Sequence, residues 1–219
     1  MDPWVKIYEW CAENAPETGR AVLPGGPTLE LDTAQGRTGG YPWPEDVLAF
    51  YEWCNGTLRT PNGYILPGLR PLGVAEIVSS WEEDMISSYD HLTAGTSPPS
   101  FEESDARGTF FAQLGADAIA AKSFDADKLA GSATGGFIPS LLPVAEDQSG
   151  SYLMIDRRGG KEFGAAVFFD KVDADLNDAP RWKSFLALSR ATLQAVISET
   201  SEEQTGLTPI ALGGRLTWQ

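Results

Sequence analysis

One histidine, two cysteines, a glycine run and several adjacent carboxylates are the side chains from which any catalysis in this chain would have to be built. His91 is the only histidine, and Asp90 precedes it. An Asp-His pair can act as a general base, but the sequence holds no G-x-S-x-G turn to present a nucleophile to it. With one histidine and no paired cysteines, a zinc site would rest on carboxylates, an uncommon donor set. The run Gly131-Ser132-Ala133-Thr134-Gly135-Gly136 lacks the Gly-Lys-Ser/Thr ending whose lysine neutralises phosphate, and it reads as a linker. Glu82-Glu83 and Glu102-Glu103 are sequence neighbours, and neighbouring side chains on a helix do not face each other. They serve as solvated charge better than as an acid/base pair. Cys11 and Cys54 lie far apart, outside any Cys-x-x-Cys spacing, which excludes a disulfide scaffold or zinc ribbon and fits a reducing compartment. The expectation is a non-enzyme with no catalytic, cofactor-binding or metal-binding residues and no cofactor.

Charge carries more information. The 219 residues hold 31 acidic and 16 basic side chains, a net charge of −15. Such a surface repels phosphate backbones, which argues against nucleic acid as a direct ligand, and it attracts a basic protein partner. Solubility alone is the competing explanation. Between Arg70 and Arg107 there is no lysine or arginine, while acids and aromatic rings alternate. Charge speeds an encounter and aromatic anchors supply most of the binding energy. The predicted partner-binding set is therefore Trp81, Glu82, Glu83, Asp84, Tyr89, Asp90, Phe101, Glu102, Glu103 and Asp105. An ordinary solvated loop is the alternative.

The elements that would position these residues follow from periodicity. Trp4, Ile7, Tyr8 and Cys11 mark one face of a helix over 4–14, stopped before Pro16. A Gly/Pro-rich link leads to a short helix over 29–35, with Thr28 as its expected cap. Residues 42–56 predict a helix with Pro44 at its first position, Glu45 and Asp46 favouring the positive end of the helix dipole, and Asn55-Gly56 as a left-handed stop. Pro61-Asn62-Gly63 predicts a hairpin between 57–60 and 64–66. Residues 71–78 suggest a brief helix or turn. Residues 80–137 are read as a loop-rich acidic insertion within one domain spanning 1–219. Residues 151–156 and 163–169 flank Arg157-Arg158-Gly159-Gly160 and predict a hairpin buried at the centre of a sheet. Asp178-Ala179-Pro180 opens the longest helix, with Trp182, Phe185, Leu186, Ser189, Leu193, Val196 and Ile197 along one side. Residues 209–218 are expected to add a strand.

The sequence also lacks the basic start and apolar run of a signal peptide, and no apolar stretch approaches the roughly 18 residues of a membrane span. A cytoplasmic protein without membrane association is expected.

Three blocks carry a family resemblance. Trp4, Ile7 and Trp10 lead to the stop Asn14-Ala15-Pro16. Pro44, Phe50, Tyr51, Trp53, Asn55 and Gly56 form a proline-led helix, with Leu69, Pro71, Leu72 and Ile77 downstream. Pro143, Asp147, Gly150, Leu153, Asp156, Gly164 and Val167 follow in order. In this arrangement, over roughly 1–78 and 137–200, the chain resembles the SUKH superfamily, which includes the fungal Smi/Knr cell-wall-assembly regulators and many bacterial immunity proteins. It departs from that pattern in a short second helix, about 28–35, and a longer connection at 80–137. The resemblance implies an α+β single domain with a central twisted, largely antiparallel sheet flanked by helices. It also implies an immunity protein that binds and neutralises a cognate bacterial toxin domain, a basic nuclease among the fitting targets. A non-catalytic scaffold or regulatory module with an endogenous partner is the alternative. Asn55, Gly56, Gly150, Asp156 and Gly164 are then structural turn, cap and bulge positions.

Overall fold

The computed structural model describes residues 2–59, 63–87, 129–132, 138–147, 149–170, 181–201, 203 and 206–219. The chain opens with helix α1, Pro3–Asn14, whose start is fixed by the Asp2 carboxylate accepting the Trp4 N–H at 2.9 Å and by Pro3 in the first turn. Trp4, Ile7 and Cys11 are buried at the expected helical spacing, while Tyr8 is exposed. Gly25, Gly26 and Pro27 form the predicted link, and before it the chain makes a short helix α2, Pro16–Ala21, and strand β1, Val22–Pro24, that the sequence reading did not expect.

Helix α3, Thr28–Arg37, begins after Pro27 as the capping residue, so Thr28 is its first residue and not its cap. It buries Leu31 and Ala34. Pro44 likewise caps helix α4, Glu45–Trp53, from outside. Val47, Phe50 and Tyr51 face inward, with Glu45 and Asp46 in the first turn. The helix does not stop at Asn55-Gly56. It passes directly into strand β2, Cys54–Thr57, which pairs antiparallel with β1. The predicted hairpin partner, residues 64–66, is not a strand, and Thr60, Pro61 and Asn62 lie outside the described residues. Gly56 has φ +74°, and a Cβ there would sit 2.5 Å from the backbone N of Gly73. Only glycine fits that approach. Asn55 turns its Oδ1 to accept the Val74 N–H at 2.7 Å, so this dipeptide starts a later helix rather than ending an earlier one.

That later helix is α5, Val74–Ser87, reached through strand β3, Arg70–Pro71. The principal sheet has the order β3-β4-β5-β6, all antiparallel, with β4 Leu141–Glu146, β5 Tyr152–Asp156 and β6 Ala166–Phe169. Every residue of β5 is buried, as its continuous apolar run predicts for an inner strand. The β4–β5 register shifts between Pro143 and Ala145, where proline offers no N–H to the ladder. Gly150 and Gly164 have φ +90° and +82°, in keeping with their assignment to turns.

Helix α6, Phe185–Ser198, is capped by the Ser184 hydroxyl, which accepts the Ala187 N–H at 3.1 Å; residues 178–180 lie outside the described residues. Of the predicted stripe, Phe185, Ser189 and Val196 are buried, Trp182 precedes the helix, and Ile197 is exposed. Phe185 packs tilted against Trp4 and edge-to-face with Phe50, at centroid distances of 5.2 and 5.1 Å, which ties α6 to α1 and α4. The C-terminal segment is a complete hairpin: β7, Pro209–Leu212, and β8, Arg215–Trp218, joined by Gly213-Gly214 at positive φ. One cluster of buried side chains runs from Trp4 to Leu216. The architecture is α+β with antiparallel sheets, as expected.

Candidate functional site

Helix α5 carries the described part of the predicted acidic surface, so its setting decides what that surface can be. Its start is fixed by a buried arginine. Arg70, 2% exposed, donates from Nη1 and Nη2 to both oxygens of Glu76 (3.0 and 2.8 Å), from Nε to Glu146 (2.9 Å) and from Nη1 to the Thr57 carbonyl (3.0 Å). Glu76 in turn accepts the Gly73 N–H at 2.9 Å. Burial alone would raise the Glu76 pKa, but Arg70 and the Gly73 amide outweigh it and hold the carboxyl below its ordinary value.

From this anchor Val74, Ile77, Val78 and Trp81 fall on one buried stripe at helical spacing. Trp81 is fully buried, its edge against Gly39 and its indole N–H donated to the Pro139 carbonyl at 3.2 Å. It is a core ring and not a surface anchor, which corrects the sequence expectation. Glu82 is also buried, and its Oε1 accepts from Arg37 Nη2 at 2.7 Å and Nε at 3.2 Å. A carboxylate so placed joins α5 to α3 and is withdrawn from any docking surface. Glu83 is exposed. The Asp84 backbone continues α5, but its side chain lies outside the described residues, as do Tyr89, Asp90, Phe101, Glu102, Glu103 and Asp105, together with His91.

The far end of α3 is fastened by a second buried arginine. Arg157, 2% exposed, donates to the carbonyls of Pro139 (2.9 Å), Thr38 (3.0 Å), Ser140 (3.1 Å) and Tyr41 (3.2 Å). Burial pushes its pKa down to about 9, which still leaves it charged at neutral pH. Five donors on one rigid plane suit such a cluster of carbonyls. Two arginines thus hold the two helices in place.

Between α3 and α5 lies a groove of about 600 Å³. Ala34, Val74 and Val78 are its buried apolar floor, Thr33 and Ser79 its small side walls, and Leu29, 76% exposed, its lip. Glu30 lines one end, and the Arg37–Glu82 pair stands at the other. Sequence reasoning missed this surface, because alanine, serine and threonine carry no signal by type. Exposed Leu29, out of step with buried Leu31 and Ala34, is the one hint.

The described residues offer little for bond chemistry. No group of three or more His, Cys, Asp or Glu among them is placed to hold a metal ion. Cys11 and Cys54 are free and buried, and burial pushes both thiols up to about 12, far from the reactive thiolate. Asp156, fully buried, is locked by Arg158 at 2.7 Å and by the backbone amides of Gly131 and Arg158. It is a turn-fixing residue, as assigned. No described helix is long and apolar enough to cross a membrane.

An α+β frame whose antiparallel sheet carries helices locked by buried arginines defines the class of this protein. The model of the SMI1 / KNR4 family (SUKH-1) matches residues 30–188, and the chain belongs to that family. The matched span runs from the third residue of α3 through the first turn of α6 and takes in Thr33 and Ser79 of the groove walls, whereas Leu29 and the Trp4–Ile7–Trp10 block lie outside it. No curated protein matches the chain.

Proposed function

We propose that this protein is an immunity protein that binds a cognate bacterial toxin domain inside the producing cell and neutralises it by covering a basic surface. The observation that carries this reading is the charge: −15 overall, with no cation between Arg70 and Arg107. An inhibitor of that sign suits a target whose working surface is positive, as a nuclease's phosphate-binding surface is. Family membership is compatible with this role. Glu83 and Asp84 on α5 are the proposed acidic contacts, joined by Tyr89, Asp90, Phe101, Glu102, Glu103 and Asp105.

The test is purification of the tagged protein from its native host, identification of a stoichiometric protein partner, and expression of that partner with and without this chain. Support requires a basic partner that kills cells alone and is harmless when this chain is present. A partner that is harmless by itself refutes the reading and leaves a scaffold role with an endogenous protein.

A further inference from the structure

We infer that the groove between α3 and α5 seats a cationic amphipathic helix of the partner protein. This rests on the protein-binding reading above and gives it a contact surface.

The first support is the shape and chemistry of the groove. Its floor is aliphatic and its walls are short side chains, so nothing bulky fills the space between the two helices. A single exposed leucine means little on its own. Leu29 differs because it stands on the lip of an apolar slot of about 600 Å³, where it extends the surface a partner would cover. A slot between two helices is filled by a third helix laying one apolar stripe into it. The ten residues of α3 set its length. At about 1.5 Å per residue this is roughly 15 Å, enough for side chains at i, i+3 or i+4, and i+7 of a partner helix.

The second support is the sign of the rim. Glu30 lines the groove, and exposed Glu83 lies one helical turn beyond the lining residue Ser79 on α5. Neither has a cation within pairing distance among the described residues, while the positive charge of Arg37 is met by Glu82. Lysine or arginine flanking the apolar stripe of the occupant answers that rim. A second copy of this chain, also at −15, is repelled by the same field. The third support is rigidity. Arg70 fixes the start of α5 and Arg157 the end of α3, so the walls need no ordering when a helix arrives.

The probe is a fluorescein-labelled helix of about four turns with leucine at i, i+4 and i+7 and lysine elsewhere on its length. Two controls accompany it: a scrambled peptide of the same composition, and a version with glutamate in place of lysine. Anisotropy titrations near physiological salt are expected to show the aligned cationic helix binding at least tenfold tighter than the scramble, with no binding of the acidic version. Ser79→Arg, which plugs the slot, and Leu29→Ala, which removes its lip, each weaken binding at least tenfold. Both positions are exposed, so thermal melting stays at the wild-type value. Equal binding of aligned and scrambled peptides, no binding of either, or wild-type affinity in both variants overturns the inference. So does a dimer in sedimentation velocity that Ser79→Arg abolishes, since the occupant is then a second copy. If Ser79→Arg still binds and neutralises the copurified toxin as wild type does, the groove inference fails and the immunity reading stands. If no toxic partner exists, the immunity reading fails, whatever the peptides do.

Discussion

The Arg37–Glu82 pair is expected to behave asymmetrically when its members are removed one at a time. The glutamate side chain is 4% exposed and the arginine 39%, and one carboxylate oxygen takes both guanidinium bonds, at 2.7 and 3.2 Å. Arg37→Met keeps the aliphatic stem but leaves the buried carboxylate without its arginine. Breaking a fully buried ion pair in this way costs about 3–5 kcal/mol. Water reaches the arginine side, so the expected loss is about 2 kcal/mol. Glu82→Gln keeps an acceptor for the guanidinium and removes the buried charge, at a cost of about 1 kcal/mol. The double variant should fall short of the sum by about 1 kcal/mol, because the two side chains are in direct contact and their removal is not additive. Urea unfolding at pH 7 with tryptophan fluorescence reads all three, provided the m-value is constant. A loss under about 0.5 kcal/mol for Arg37→Met would mark an ordinary surface ion pair. Glu82 would then return to the set of candidate contact residues. A charge reversal at Glu82 therefore tests folding, and Glu83→Lys is the cleaner probe of binding.

Trp81→Ala should cost about 3–5 kcal/mol as a core deletion. Trp81→Phe should cost only about 1–2 kcal/mol, since the Pro139 carbonyl also accepts from Arg157 Nη2 at 2.9 Å; an alanine loss under about 1 kcal/mol in thermal or urea melts would contradict core placement. Glu76, held below the ordinary value of 4.5 by Arg70 and the Gly73 amide against the opposing effect of burial, contributes stability that is complete above that value and lost as pH falls through the lower folded one. The urea-midpoint gap between wild type and Glu76→Gln should be constant from neutral pH to mild acid and close as pH falls below 4.5 through the folded value; a gap that does not narrow on acidification refutes the assignment. Cys11 and Cys54 should ignore an aromatic disulfide reagent in the folded protein and both react in urea, whereas one rapid native thiol would show that burial does not protect them.

Strong periodicity made parts of this fold legible in sequence. Trp4, Ile7 and Cys11 announce α1, and the unbroken apolar run at 151–156 announces an inner strand, because each pattern has one inexpensive way to be buried. Asn55-Gly56 was misplaced for a physical reason. A positive-φ glycine after a helix resembles a stop, yet here Gly56 lets β2 pass within a Cβ's reach of Gly73, and Asn55 caps a helix 19 residues on. Such long-range contacts leave no local trace. Trp81 failed differently. Val74, Ile77, Val78 and Trp81 carry the helical period in plain sight, but the acids that follow drew the ring into a charge pattern whose neighbour, Glu82, is itself buried.

The treatment of charge inside the fold bears on how the outside can work. Among the described residues Arg70, Arg157 and Arg158 are buried, against Glu82 and Asp156 of the acids, so burial there takes more positive than negative charge from the surface. A buried arginine that meets several carbonyls or carboxylates fixes distant segments to one point, as Arg157 does for residues 38–41 and 139–140. Taking those cations inward therefore makes the helices rigid and keeps the surface field intact. A binder that relies on attraction for its on-rate and on a preformed surface for its off-rate gains from both at once. The same placement makes Arg70 and Arg157 poor targets for dissecting recognition, because replacing either moves a wall of the groove before it alters any contact with a partner.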